Sequence, residues 1–212
     1  MTPKEAGLVL TGLLGVGLLL ALGTWQLRRL EWKEAVLATI TARLTDAPIS
    51  IPASPDPLTD NYRAVTMTGH QAGAGLRLWS PPSYQLIVPF ETDGGRRVLL
   101  DRGRSGGTPE MTGEITVVGN LIWPDDVDSY TPPPEGDLWF ARDVAAMAQL
   151  LGTEPVLVSA RTETGQGVEP LPITTAGIPN NHMQYAITWF SLAAIWAGMT
   201  VFALWRIRRG TN

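Results

Sequence analysis

Two long runs without a charged residue, one towards each end, constrain this chain most. Ala6 to Thr24 is 19 residues without Asp, Glu, Lys or Arg, and Met183 to Leu204 is 22. At about 1.5 Å per helical residue they cover roughly 28–33 Å, the thickness of one hydrocarbon core. Both are expected to be transmembrane helices. A buried core helix is the alternative for the second run, but Trp205 and the cluster Arg206, Arg208 and Arg209 close it as a membrane interface does. A cleaved signal peptide is the alternative for the first, with Lys4 as a basic start and Ala21-Leu22-Gly23 as a small-x-small site. The run is longer than the ~7–15 residues of a signal core.

The expected organisation is a cytoplasmic N-terminus (1–5), a first span (6–27), an extramembrane domain (28–181), a second span (182–205) and a basic cytoplasmic tail (206–212). Basic residues near the membrane number four on each side: Lys4, Arg206, Arg208 and Arg209 against Arg28, Arg29, Lys33 and Arg43. They do not decide orientation. The domain carries 12 basic and 19 acidic residues, a balance that does not oppose export, and long segments translocate largely regardless of charge. The domain is therefore expected outside. Gly7, Thr11 and Gly15, Gly17 and Ala21, Ala193 and Ala197, and Ala194 and Gly198 recur at four-residue spacing. Small residues so spaced let two helices approach, although they are also simply common in membrane helices.

The middle segment opens helically, with Leu27, Leu30, Leu37, Ile40 and Leu44 on one face. Pro48, Pro52, Pro55 and Pro57 stop that helix, and an irregular loop is expected there. Strand-like runs follow at 62–68, 76–79, 84–91, 96–102 and 114–123, with 155–160 later. Asp93-Gly94-Gly95 is a hairpin signal. Residues 144–151 read as a short helix, with Asp143 as N-cap and Gly152 just past its end. Residues 165–179 read as a loop returning to the membrane. The fold class expected is an α+β membrane protein, with two transmembrane helices flanking an antiparallel strand-rich domain.

Composition narrows the chemistry. There is no cysteine, which excludes disulfides, thiolate metal sites and a Cys nucleophile. His70 and His182 are the only histidines, and the net charge of −4 lacks the basic face that nucleic acid needs. No GxSxG, HExxH, P-loop or dinucleotide fingerprint is present. An enzyme is not expected, and two spans without an internal ionisable residue offer no transport pathway.

His182 is the best-placed chemical group. It follows Asn180 and Asn181, either of which can cap the second helix, and it falls in the first turn, where the positive dipole end disfavours an imidazolium. A neutral imidazole there suits a haem iron or another metal. Tyr185, Ala186 and Trp189 follow at helical spacing. An ordinary interfacial aromatic belt explains the same pattern. The first span ends on the same side with Trp25-Gln26-Leu27-Arg28-Arg29. If the helices pair, Trp25 comes near His182, and Arg28 or Arg29 can meet carboxylates through a planar fork; interfacial anchoring is the plain alternative. His70 is expected in a solvated loop. Asp125, Asp126 and Asp128 are expected to be a solvated acidic run rather than a cation site.

The chain resembles the surfeit locus protein 1 family, assembly factors of haem-copper cytochrome c oxidase. The resemblance rests on Leu22-Gly23-Thr24-Trp25-Gln26-Leu27 followed by Trp32-Lys33, and on Tyr62-Arg63-x-Val65 leading to Gly69. It continues through Val98 to Gly103 and through Trp139-Phe140-Ala141-Arg142-Asp143. It is longest over Asn180-Asn181-His182-Met183-Gln184-Tyr185-Ala186-Ile187-Thr188-Trp189-Phe190. The family's Arg-Gly pair is usually followed by an aromatic, and here Arg104 follows Gly103.

What the resemblance implies is a bacterial inner-membrane protein, not an enzyme, that transiently binds haem a. His182 would be the iron ligand, with Trp25, Tyr185 and Trp189 in the matching motifs; Arg28 and Arg29 are expected, from the helix pairing, to meet the haem propionates. The implied partners are oxidase subunit I, haem A synthase and the lipid bilayer, with no nucleic acid. A cofactor-free membrane scaffold holding an oxidase assembly intermediate is the alternative.

Overall fold

A computed structural model describes residues 2–210. Met1, Thr211 and Asn212, which fall in the expected terminal segments, lie outside the described residues. The chain forms two compact units. One comprises the residues up to Thr39 with those from Ala176 onward; the other is Ile40–Thr175.

The first unit is helical. Helix α1 runs Pro3–Thr45 without a break, its last turns belonging to the second unit, and helix α4 runs His182–Gly210. α1 starts on a reciprocal cap: Thr2 N donates to Glu5 Oε2 at 2.7 Å and Glu5 N donates to Thr2 Oγ1 at 3.3 Å, with Pro3 following the cap residue. Both helices are long and apolar enough to cross a bilayer. Their apolar residues point mostly outward: Leu10, Leu13, Leu14 and Leu18 on α1, and Ile187, Ile195, Met199 and Phe202 on α4, are exposed. Contiguous apolar surface of that kind needs an apolar neighbour.

The small residues that meet the other helix overlap only in part with the set expected from spacing: Gly15 does so and Ala193 is buried, while Gly12 and Gly23 join them. A Cβ on Gly12 would lie 2.3 Å from Thr200 Cγ2, one on Gly15 2.3 Å from Trp196 Nε1, and one on Gly23 2.6 Å from the Phe190 ring. Gly7, Gly17 and Gly198 have nothing within 4 Å. Trp196 and Phe190 are bulky side chains seated on glycine, and Gly12 against Thr200 is a small residue facing a small residue.

The second unit is a barrel. Its elements in chain order are β1 (Ile49–Ser50), α2 (Pro57–Asp60), β2 (Ala64–Gln71), β3 (Leu76–Ser80), β4 (Ser83–Thr92), β5 (Arg97–Ser105), β6 (Ile115–Ile122), β7 (Leu138–Trp139), α3 (Val144–Leu151), β8 (Leu157–Ala160) and β9 (Val168–Glu169). β2 pairs with β6, β6 with β8, β8 with β5, β5 with β4, and β4 returns to β2 through Gly69–Gln71 against Phe90–Thr92. The ring therefore closes over five strands. In chain order the strands run first, second, third, fifth, fourth, first, the arrangement of an OB-type Greek-key barrel.

The sheet is not purely antiparallel as expected. β1–β2, β3–β7 and β5–β8 are parallel. The β5–β8 pair is reached by a crossover through β6, β7 and α3, the kind of long connection a parallel pair requires.

Each ring strand alternates. Val65, Met67, Val88, Phe90, Val98, Leu100, Val117, Leu121 and Val158 fill the interior. Leu76, Leu78, Ile87, Leu99, Ile122 and Leu157 form a second core under Trp139 and α3, with Met147 and Ala148. α3 has the expected ends: Asp143 Oδ1 accepts from Ala146 N at 3.0 Å, and Gly152 is left-handed at φ 65°. The hairpin turn at 93–95 is also as expected, with Gly95 at φ 77°.

One end of the barrel is plugged by Arg102, which is wholly buried. Its guanidinium donates to Thr164 Oγ1 (3.2 Å), Thr164 O (3.0 Å), Pro109 O (2.5 Å) and Gln71 Oε1 (3.3 Å). Oxygen dipoles, not a carboxylate, satisfy these N–H groups. Burial pushes its pKa down from a value high enough that it remains a cation. Within the same unit, the last turn of α1 is held by its carbonyl: Leu44 O accepts from Arg161 Nη1 at 2.5 Å and from Asn120 Nδ2 at 3.4 Å. A cation at a helix C-terminus also opposes the helix dipole.

Candidate functional site

His182 is the first residue of α4, as its sequence position led us to expect. The residue that meets it across the helix pair is Gln26 of α1, not Trp25. Gln26 Oε1 lies 2.8 Å from His182 Nδ1, and Gln26 is buried while His182 is half-buried. Three local features hold this geometry. Tyr185 N donates to Asn181 O at 3.2 Å, closing the first turn of α4. Lys33 Nζ donates to Pro179 O, tying the segment before α4 to α1. Below the site, the seating of Phe190 on Gly23 brings the helices into contact.

The chemistry follows from the hydrogen bond. With the amide oxygen as acceptor, Nδ1 carries the imidazole proton and Nε2 keeps its lone pair. In that tautomer Nε2 is the nitrogen that can ligate a metal.

Of the two asparagines, Asn181 holds the position just before α4, and Asn180 is left beside it. Asn180 Oδ1 is buried and has no hydrogen-bond partner. A buried acceptor without a donor is costly.

The other expected residues differ in exposure. Trp25 is 56% exposed and Tyr185 53% exposed, whereas Ala186, one residue on, is 1% exposed. Tyr185 and Ala186 therefore do not share a face: Ala186 is buried and Tyr185 presents its ring outward. Trp189 is half-buried. Arg28 and Arg29 are both exposed, and the Arg29 guanidinium stacks 3.9 Å over the Trp32 ring. Trp25, Tyr185, Arg28 and Arg29 are thus exposed on the two helices that carry Gln26 and His182.

Elsewhere the expectations divide. His70 is not in a loop: it is an exposed residue within β2, opposite Glu91. Asp126 pairs with Arg142 at 2.5 Å, and Asp128 Oδ1 accepts from Tyr130 N and Thr131 Oγ1 within its own turn. No metal-ligating cluster occurs among the described residues. Arg104 reaches Glu169 at 4.0 Å.

A row of buried polar residues crosses the outer face of the barrel. Asp101 on β5 pairs with Ser159 on β8, which pairs with Asn120 on β6, and all three are at most 4% exposed. Asp101 Oδ1 accepts from Gly103 N at 2.9 Å, and Asn120 Oδ1 has no partner. Burial raises the Asp101 carboxyl to about 6, against smaller lowering effects of the Gly103 N–H and the Arg142 charge.

The model of the SURF1 family matches residues 13–194. The chain belongs to the SURF1 family. Among curated SURF1-family proteins it is 32% identical to Surfeit locus protein 1 of Rattus norvegicus, covering 82% of this chain and 68% of that protein. It is 27% identical to Surfeit locus protein 1 of Homo sapiens, over 82% of this chain and 69% of that one. A SURF1-like protein of Monosiga brevicollis is 30% identical, over 90% and 84%. The span matched by the SURF1 model contains both Gln26 and His182, so the helix pair and the barrel belong to one family unit.

The helix pairing is directly testable, because the chain has no native cysteine. The Cβ of a residue 12 side chain would lie 3.1 Å from Thr200 Cβ, inside the roughly 3.5–4.5 Å of a disulfide, so a small outward shift of the helices brings two cysteines into bonding range. A Gly12→Cys, Thr200→Cys double variant is expected to cross-link within one chain on mild oxidation in membranes, read as a mobility shift reversed by thiol. No cross-link under conditions that oxidise exposed thiols would contradict the pairing.

Proposed function

We propose that this SURF1-family chain is an assembly factor of haem-copper cytochrome c oxidase that holds haem a as cargo and assists its insertion into subunit I. In this reading α1 and α4 are two spans of a bacterial inner membrane, and the barrel lies on the periplasmic side. Haem A synthase supplies the cargo and the oxidase subunit receives it. The chain catalyses no reaction of its own.

The observation that carries the reading is the meeting of two distant sequence motifs at one hydrogen bond, Gln26 to His182. The residues fit the cargo's chemistry. His182 Nε2 supplies an iron ligand. Trp25 and Tyr185 supply ring faces for the porphyrin, and Trp189 adds apolar surface. Arg28 and Arg29 supply cations for the propionates. The outward apolar surface of the helices suits the isoprenoid tail, which partitions into lipid. A single protein ligand leaves the iron open on its other side, which suits a carrier that must release what it binds.

The cellular test replaces His182 by alanine in a strain that depends on this protein. The expected result is oxidase subunit I made at normal level but with its haem a content reduced several-fold. Full haem a content with His182→Ala would favour the cofactor-free scaffold.

A further inference from the structure

An imidazole with two free nitrogens is an indifferent ligand. Its two neutral tautomers differ little in energy and both are populated, the Nε2–H form being the major one in water, so many molecules would present an N–H, not a lone pair, at Nε2. A single acceptor at one nitrogen settles the choice. Here the group facing the ring is the Gln26 amide, 2.8 Å from Nδ1 and buried, so little competing water reaches it. The opposite amide orientation would place an N–H₂ donor against Nδ1, push the proton to Nε2 and abolish the ligand.

We propose that Gln26 is the positioning residue of this site: its amide oxygen keeps the proton on His182 Nδ1, presents Nε2 to the cargo iron, and tunes that bond for release. The proposal rests on the haem-carrier reading above.

The choice of an amide has a consequence. An acceptor at Nδ1–H raises the basicity of Nε2, and an ionised acceptor does so more strongly than a neutral one. A carboxylate at position 26 would give a tighter iron–imidazole bond. An apolar residue would give a weaker bond and an unoriented ring. Glutamine stands between these. It orients the ring without the strong electron push of a charged partner, which matches a protein that gives its cargo away. Glutamine also avoids placing a charge where α1 leaves its apolar run.

The test uses the full chain in detergent, loaded with ferrous haem a. Three forms are compared: parent, Gln26→Leu and Gln26→Glu, with circular dichroism as a folding control. The readouts are the iron–histidine stretching band in resonance Raman spectra and the rate of haem transfer to apomyoglobin. The expected order of the stretching frequency is Leu below Gln below Glu. Gln26→Leu should bind haem a about 10- to 100-fold more weakly, and Gln26→Glu should transfer it more slowly than the parent. A residue that only packs the helices would not raise the frequency in the Glu variant. A parent band left unmoved by both substitutions would overturn this proposal while sparing the carrier reading. A parent with no iron–histidine band would overturn both.

Discussion

A valine at position 69 is expected to abolish cooperative folding of the barrel. Gly69 lies where β2 is paired on both edges, with Ile115 of β6 on one side and Thr92 of β4 on the other. A Cβ there would sit 2.0 Å from Glu91 O, 2.8 Å from Thr92 Cα and 2.9 Å from Glu91 C. All three atoms are backbone, so no rotamer change can relieve the overlap. Either the ring opens between β2 and β4 or the strands separate along their length. Both outcomes expose the interior core, and a loss above about 4 kcal/mol is expected from such a clash. Thermal unfolding of the full-length Gly69→Val chain in detergent, followed by near-ultraviolet circular dichroism, should show no barrel transition. A melting temperature within a few degrees of the parent would mean that the ring is not closed at this point.

The second large effect runs in the opposite direction. Asp101→Asn is expected to stabilise the protein, and only above acidic pH. Burial raises the carboxyl to about 6 in the folded chain, from 3.8. Below about pH 4 the group is protonated in both folded and unfolded chains, and it contributes no difference. Between about pH 4 and 6 the unfolded chain ionises while the folded chain holds its proton, so stability falls as pH rises. Above about 6 the full penalty applies, on the order of 3 kcal/mol. Asparagine can still accept from Gly103 N and carries no charge to desolvate. The variant should match the parent near pH 4 and melt well above it at pH 7.5. Other carboxylates shift the other way; Asp137 and Glu154, for example, are held below their ordinary values by hydrogen bonds from Arg77 and Arg96. Their contribution is common to both proteins and cancels in the difference. A stability gap that is the same at pH 4 and 7.5 would contradict the assigned burial.

The local elements of the fold were legible from local chemistry. Both apolar helices, the 93–95 turn and the capped helix 144–151 are dictated by residues close in sequence, and they stand where their signals put them. Closure of the barrel was not legible, because it depends on three residue pairs between Gly69–Gln71 and Phe90–Thr92, some twenty residues apart. β1, β7 and β9 are two residues each, too short for any alternation to register. Arg102 reads as a surface residue on composition alone; only its position after an apolar run hints that it points inward.

The candidate site was half legible. His182 stands out as one of two histidines, at the mouth of an apolar run. Gln26 does not, because an uncharged polar residue at the end of a span looks like ordinary interfacial chemistry. A signal was present, however. Gln26 is flanked by Trp25 and Leu27 before the first arginine, where a membrane helix gains nothing from a buried amide unless something bonds to it. Its partner lies 156 residues away, and no local rule reaches that far.

The most direct test of the central claim is the optical spectrum of the full-length protein, purified in detergent after co-expression with the haem A biosynthetic enzymes, alongside His182→Ala. The account predicts near-stoichiometric haem a in the parent and its loss, or a shifted Soret band, in the variant. A parent that purifies free of haem under these conditions, or a variant with an identical haem content and spectrum, would contradict it.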